Sequence, residues 1–280
     1  MDTIRNIKMI IKGKETVDGA GVKLSRMFSY KLAKLFDPFL LFDAFGSENP
    51  EEYLPGFPWH PHRGIETVTY MLSGSVEHKD SLGNTGVLSQ GDCQWMTAGR
   101  GIIHQEMPVK SELLAGIQIW VNLPKEHKMI KPAYRDIKKE QITETEIEGS
   151  FVKLIAGNYK GRIGPAEGIM ANPTFMEVKV PFNVKFEFEA SHEDQVFVFI
   201  ISGKGSFHPD STETPDENSV VLFEQGDLVQ IVSRSEQLHF LLFSGKPLRE
   251  EITWRGPIVM NSEDELDEAL AQLEDGTFTK

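Results

Sequence analysis

A chain of 280 residues with 40% apolar and 25% charged side chains is long enough for two folded domains and too apolar to be disordered. Its formal net charge of −13, from 42 acids against 29 bases, excludes the broadly basic face that direct nucleic-acid binding requires. Charges at Arg5, Lys8, Lys12, Lys14 and Glu15 break up any signal-like apolar run, nothing approaches a membrane span of roughly 20 apolar residues, and the lone Cys93 cannot form an internal disulfide, so a cytoplasmic location is expected.

In chain order, residues 9–12 predict a strand whose partner is open: its own domain or the other. Residues 64–73 (GIETVTYMLS) are rich in β-branched and aromatic side chains and predict a strand running into Gly74. Turn clusters at 80–84 and 89–92 follow, then strands over 93–97 and 115–123. Cys93 in such a strand reads as a buried, inert thiol. The bases Lys125, Lys128, Lys131, Arg135, Lys138 and Lys139 read as a solvated face. Residues 136–150 are polar and charged, which places a linker or surface segment there and divides the chain into 1–140 and 141–280.

The second part repeats the first. Residues 70–74 (YMLSG) align with 199–203 (FIISG), Gly91-Asp92 with Gly226-Asp227, and each aspartate is followed twelve residues later by a histidine, His104 or His239. An internal duplication of one β-domain accounts for these parallels. Ser262 and Glu265 stand at capping-box spacing, and Leu266, Ala269, Leu270 and Leu273 recur at helical spacing up to Gly276, which predicts a short closing helix.

Chemistry concentrates in two pairs. His60-Pro61-His62 and His104-Gln105-Glu106 both have the two-residue spacing that puts side chains on one face of a strand. If both faces point into one barrel, three imidazoles and a carboxylate converge. That donor set suits one divalent ion, Fe(II) first, with manganese, cobalt, nickel, copper or zinc compatible. Phe57, Trp59, Trp95 and Met96 are candidates for an apolar pocket around it.

These residues resemble the cupin superfamily, whose small barrels carry a His-x-His motif and a later histidine. Within it, residues 60–68 (HPHRGIETV), 94–102 (QWMTAGRGI) and 255–261 (RGPIVMN) resemble the pirin family, and the likeness runs over nearly the whole chain. The resemblance implies an all-β protein of two tandem jelly-roll barrels with a short C-terminal helix. It also implies metal in the N-terminal barrel at His60, His62, His104 and Glu106. Quercetin 2,3-dioxygenation is the implied activity, with a flavonol and dioxygen as substrates and Glu106 as the base. The alternative it carries is an iron-dependent redox module that regulates a protein partner, as for pirins regarded as cofactors of transcription. Where many cupins place a glutamate with four residues between it and the second histidine of the motif, this chain has Thr67, and Glu66 stands one position early. Glu66 is therefore expected to be a buried partner of Arg63 or Arg100, or a group supporting a ligand. Counted from the aligned motifs, the second barrel offers Glu189, Ser191, His239 and Leu241, with His192 out of register, so no metal is expected there. A monomer is expected.

Overall fold

The computed structural model describes residues 3–280 and is mostly β, with one short C-terminal helix. It forms two compact units, one of residues 14–139 with 248–280, the other of the segment up to Gly13 with 140–247. The chain passes from one to the other at Lys139–Glu140. Against a division at 140/141, the two terminal segments are exchanged. Strand Ile7–Lys12 pairs antiparallel with Ser219–Phe223, which answers the question its sequence left open, and Ile7 and Ile10 pack on the core of that unit. Among the described residues no helix is long and apolar enough to cross a membrane.

The first unit is built from two sheets. Seven strands run in the order Ala133–Ile137, Cys93–Thr97, Ile65–Ser73, Leu114–Asn122, Phe39–Ser47, Val22–Phe28 and Lys14–Asp18. Four more run in the order Phe57–His62, Ile102–Val109, Ser75–Asp80 and Thr85–Ser89. Met71 and Leu114 from the larger sheet pack with Val76 and Leu88 from the smaller one, so the sheets face each other across a shared core. Each sheet keeps its own hydrogen-bonded set of strands among the described residues, the two-sheet arrangement of a jelly roll. Central strands Ile65–Ser73 and Cys93–Thr97 are covered on both faces, so that even Glu66, Thr67, Thr69, Gln94 and Thr97 are buried. Strand Ser75–Asp80 alternates instead, with Val76, His78 and Asp80 inward and Glu77 and Lys79 outward.

Residues 248–280 complete this unit. Thr253–Arg255 and Ile258–Met260 form a hairpin, followed by the helix Glu263–Glu274. Ser262 Oγ accepts from Glu265 N at 3.3 Å as its spacing predicted, and Glu265 Oε2 reaches back to Asn261 N at 3.0 Å. Leu266 and Ala269 bury against Ile258, Met260 and Phe278. Two cations fasten the segment. Arg63 donates to Gln272 Oε1 at 2.9 Å and to the Phe278 carbonyl at 2.7 Å, with its guanidinium 4.2 Å from the Phe278 ring centroid. Lys128, in the stretch expected to be a solvated face, is buried instead, and its ammonium donates to the carbonyls of Gly64 and Val259 and to Asn122 Oδ1. Gly64 has φ +76° and lies so close to the Val259 carbonyl that a Cβ would overlap it, which explains the glycine in the HPHRG motif.

The second unit repeats the strand order in a seven-stranded and a three-stranded sheet. By that order the counterpart of Ile102–Val109 is Leu228–Ser233, not the strand containing His239. The matched twelve-residue spacing is therefore misleading, because Asp227 precedes a strand of the smaller sheet and Asp92 one of the larger. His239 instead bonds Glu177 Oε1 at 2.7 Å, while Val229 and Ile231 of the counterpart strand join a core of Val, Ile, Leu and Phe. Glu189 and Ser191 are exposed, Leu241 is buried, and His192 bonds Asp227 at 3.1 Å.

Candidate metal centre

Strands Phe57–His62 and Ile102–Val109 are neighbours in the smaller sheet, with His104 opposite His60 and Ile102 opposite His62. Alternation then turns His60, His62 and His104 to the same side. Their ring centroids lie 4.4, 4.9 and 5.1 Å apart, and one nitrogen from each comes within 4.8 Å of the others. His60 Nδ1–H donates to the Pro58 carbonyl at 2.8 Å and His62 Nδ1–H to the Pro257 carbonyl at 3.3 Å, which leaves Nε2 of each with its lone pair free. Both ring nitrogens of His104 are buried with no hydrogen-bond partner. Burial first, then the neighbouring imidazoles, hold His62 and His104 well below the usual imidazole range, so both are neutral at pH 7. Neutral rings with converging lone pairs, one of them otherwise unsatisfied, fit a divalent metal ion, and these three histidines could hold one.

Glu106 stands apart from this trio. The pairing register shifts between His104 and Glu106, which puts Glu106 opposite Phe57, and its carboxylate is outside the group of atoms within 4.8 Å. Thr69 Oγ1 donates to it at 3.1 Å, and Gln118 Nε2 lies 3.3 and 3.2 Å from its two oxygens. It is buried, as is His78, the residue opposite it on the other neighbouring strand. His78 lies 3.4 Å from Asp136 and stacks on Tyr134.

A cavity of about 660 Å³ opens beside the histidines, lined by His60, His62, Phe57 and Trp59 together with Tyr30, Gln118, Trp120, Trp254 and Pro257. Arg26 and Asp43 add a polar corner, joined by two hydrogen bonds of 2.8 and 2.7 Å. Phe57 and Trp59 stand where the sequence put them. Trp95 and Met96 do not: both are buried in the larger sheet, Met96 against Ile65 and Ile102, because a strand with neighbours on both sides and cover on both faces leaves no side chain for a cavity. Glu66 also takes a different partner set, accepting from Trp95 Nε1 at 3.2 Å and Thr97 Oγ1 at 2.6 Å. Arg63 is committed to the C-terminal segment, and Arg100 is exposed. Cys93 is buried, and burial pushes its thiol up.

Gln118, Trp120, His78, Trp254 and Pro257 were not singled out from the sequence. Gln118 and Trp120 had a signal, since Gly116, Gln118, Trp120 and Asn122 alternate with Ile117, Ile119 and Val121 along one strand. Pro257 lies in the RGPIVMN stretch that carries the family resemblance, whereas Trp254 had no signal; both are nearly 200 residues from His62 in sequence and reach the site only through the hairpin.

The pirin family profile matches residues 21–121, and the profile of the pirin C-terminal cupin domain matches residues 175–279. A pirin-like protein of Caulobacter vibrioides is 38% identical over 278 residues, 98% of this chain and 99% of its own. Human pirin is 36% identical over 279 residues, 96% of this chain and 92% of its own. The crystal structure of a quercetin 2,3-dioxygenase from Acinetobacter baumannii superposes with a TM-score of 0.89 at 30% identity over 98% of both chains. With both profiles matched and the likeness spanning nearly its full length, the chain belongs to the pirin family.

Proposed function

We propose that the protein is a metal-dependent dioxygenase that opens the heterocyclic ring of a flavonol such as quercetin with dioxygen, releasing carbon monoxide. The observation that carries this reading is the trio of converging histidines beside an aromatic-walled cavity of about 660 Å³, a size suited to a flat polyphenol. His60, His62 and His104 hold the ion, for which iron is the first choice. When bound, the ion orients the substrate and lowers the pKa of its hydroxyl. Phe57, Trp59, Trp120 and Trp254 flank the planar rings and exclude water, and the Arg26–Asp43 corner is placed to meet hydroxyls on the distal ring. Glu106 takes the 3-hydroxyl proton and is the candidate fourth ligand, with Gln118 and Thr69 fixing its carboxylate. The match to a quercetin 2,3-dioxygenase supports the substrate class.

The test is aerobic loss of flavonol absorbance with protein loaded with iron, manganese, cobalt, nickel, copper or zinc. Turnover that vanishes on chelation supports the enzyme. No turnover with any of these metals removes it and leaves the metal-holding regulatory module. Glu106→Gln is expected to lower turnover by about 10²-fold or more, the usual worth of a positioned base, with little change in melting temperature. Full activity in that variant would overturn the role of Glu106.

A further inference from the structure

Four rings form an unbroken series from a candidate metal ligand to the surface. The Trp120 ring centroid lies 5.1 Å from that of His62, Trp254 lies 5.6 Å from Trp120, and Tyr30 lies 5.8 Å from Trp254. These are contact separations for aromatic pairs. Tyr30, at the outer end, is 63% exposed. Electron-transfer rates fall exponentially with distance, so a long step divided into contact steps is far faster than the direct one. Among side chains other than thiols, tryptophan and tyrosine give up an electron most readily.

From this geometry we infer that Tyr30, Trp254 and Trp120 form a one-electron relay between the ion at His62 and an outer-sphere oxidant at the protein surface. The proposal rests on the metal site and is independent of flavonol chemistry. The two indoles are suited to passing an electron without exchanging a proton. Trp120 Nε1 is buried with no acceptor, so an oxidised Trp120 cannot lose its proton. Trp254 Nε1 donates to the Gly256 carbonyl at 2.6 Å, an acceptor too weakly basic to take the proton. Tyr30, open to water, can.

In the balanced sequence, Tyr30 gives one electron to the external oxidant and its phenolic proton to water. Trp254 refills Tyr30, which regains a proton from water. Trp120 refills Trp254, and the electron that refills Trp120 comes from the bound ion. The ion loses one electron, the oxidant gains one, and no other bond is changed. The relay therefore allows the oxidation state of the site to be set by an oxidant that meets the protein at Tyr30 and never enters the cavity.

The test uses full-length protein without substrate and a photogenerated tris(bipyridine)ruthenium(III) complex as the oxidant, followed by electron paramagnetic resonance. With redox-inert zinc bound, a tyrosyl radical should form and persist, and Tyr30→Phe should remove it. With iron(II) bound, that radical should decay as a ferric signal grows. Trp254→Phe keeps an apolar ring in the hairpin but not its redox chemistry, and should slow the ferric signal by roughly tenfold or more at equal iron content. Trp254→Tyr should restore the rate. Ferric growth in Trp254→Phe at the wild-type rate would overturn the relay. A Trp254→Tyr variant as slow as Trp254→Phe would also overturn it, since packing alone would then explain the loss. Because flavonol turnover is never measured, the dioxygenase reading can fail without touching this result.

Discussion

With both ring nitrogens buried and unpartnered, His104 costs the metal-free fold the hydration of two polar atoms, about 1–3 kcal/mol each when nothing replaces it. An apolar side chain of similar size removes that cost. His104→Leu is therefore expected to raise the melting temperature of the metal-free protein by a few degrees while metal content, measured on the same samples, drops to background. A lower metal-free melting temperature would show that the ring supports the fold rather than the ion. A pH effect follows from the same burial. The folded state holds His62 and His104 well below 6.5, whereas the unfolded chain protonates them near that value, so below it the unfolded state binds more protons. Stability of the metal-free protein should be full above about pH 7 and should fall as the pH drops through 6.5 and below. Thermal scans across this range should show the fall, and His104→Leu should show a shallower one. Equal slopes would sink the assignment. At this scale the sequence was informative wherever alternation carried the signal: both two-residue pairs lie on neighbouring strands as spacing predicts. The sequence also places Glu106 on the buried side of its strand with His104, since the register shift falls in the partner strand between Phe57 and His60 and pairing to Ser75–Asp80 continues unbroken. It failed for Trp95 and Met96 because a doubly covered strand and a cavity wall have the same composition.

Among the elements, the hairpin of residues 253–260 matters most to the site while containing no candidate ligand. Its Pro257 carbonyl fixes the tautomer of His62, and Lys128 fixes the hairpin through the Val259 carbonyl. Lys128→Met would leave three buried acceptors without their donor, a loss of about 3 kcal/mol or more. For a protein of this size that corresponds to a fall of roughly 6–12 °C in melting temperature, readable by calorimetry. A change under a degree would mean that water or relaxation satisfies those carbonyls. The helix was legible from its cap and its apolar spacing, and it forms over Glu263–Glu274 with Ser262 as cap. The burial of Lys128 was not legible, since a lysine in a basic run looks solvated until the three oxygens around it are placed by strands far apart in sequence.

Over the whole molecule, duplication was legible and the pairing of the terminal segments was not. The repeated motifs report two copies of one strand order, but pairing of terminal segments depends on which sheet edge is open, a long-range property that local sequence does not encode. The copies have diverged inside: one keeps histidines and a glutamate between its sheets, and the other fills the same space with Val, Ile, Leu and Phe. Ending the chain after Pro247 would keep His60, His62, His104 and Glu106 and remove the hairpin. Such a chain is expected to bind metal about 10–100-fold more weakly, the usual effect of losing a group that orients a ligand, as measured by competition with a chromogenic chelator. Unchanged affinity would show that the hairpin is dispensable.

The exchange of terminal segments also sets an order of events during synthesis. Residues 248–280 are made after residues 140–247, so the histidine strands wait while that stretch is synthesised, roughly 5–20 s at ordinary translation rates. Throughout that interval the nascent chain displays three imidazoles, and the carbonyl that orients His62 has not yet been polymerised. Firm retention of an ion thus waits until residues 248–280 have been made and have joined residues 14–139.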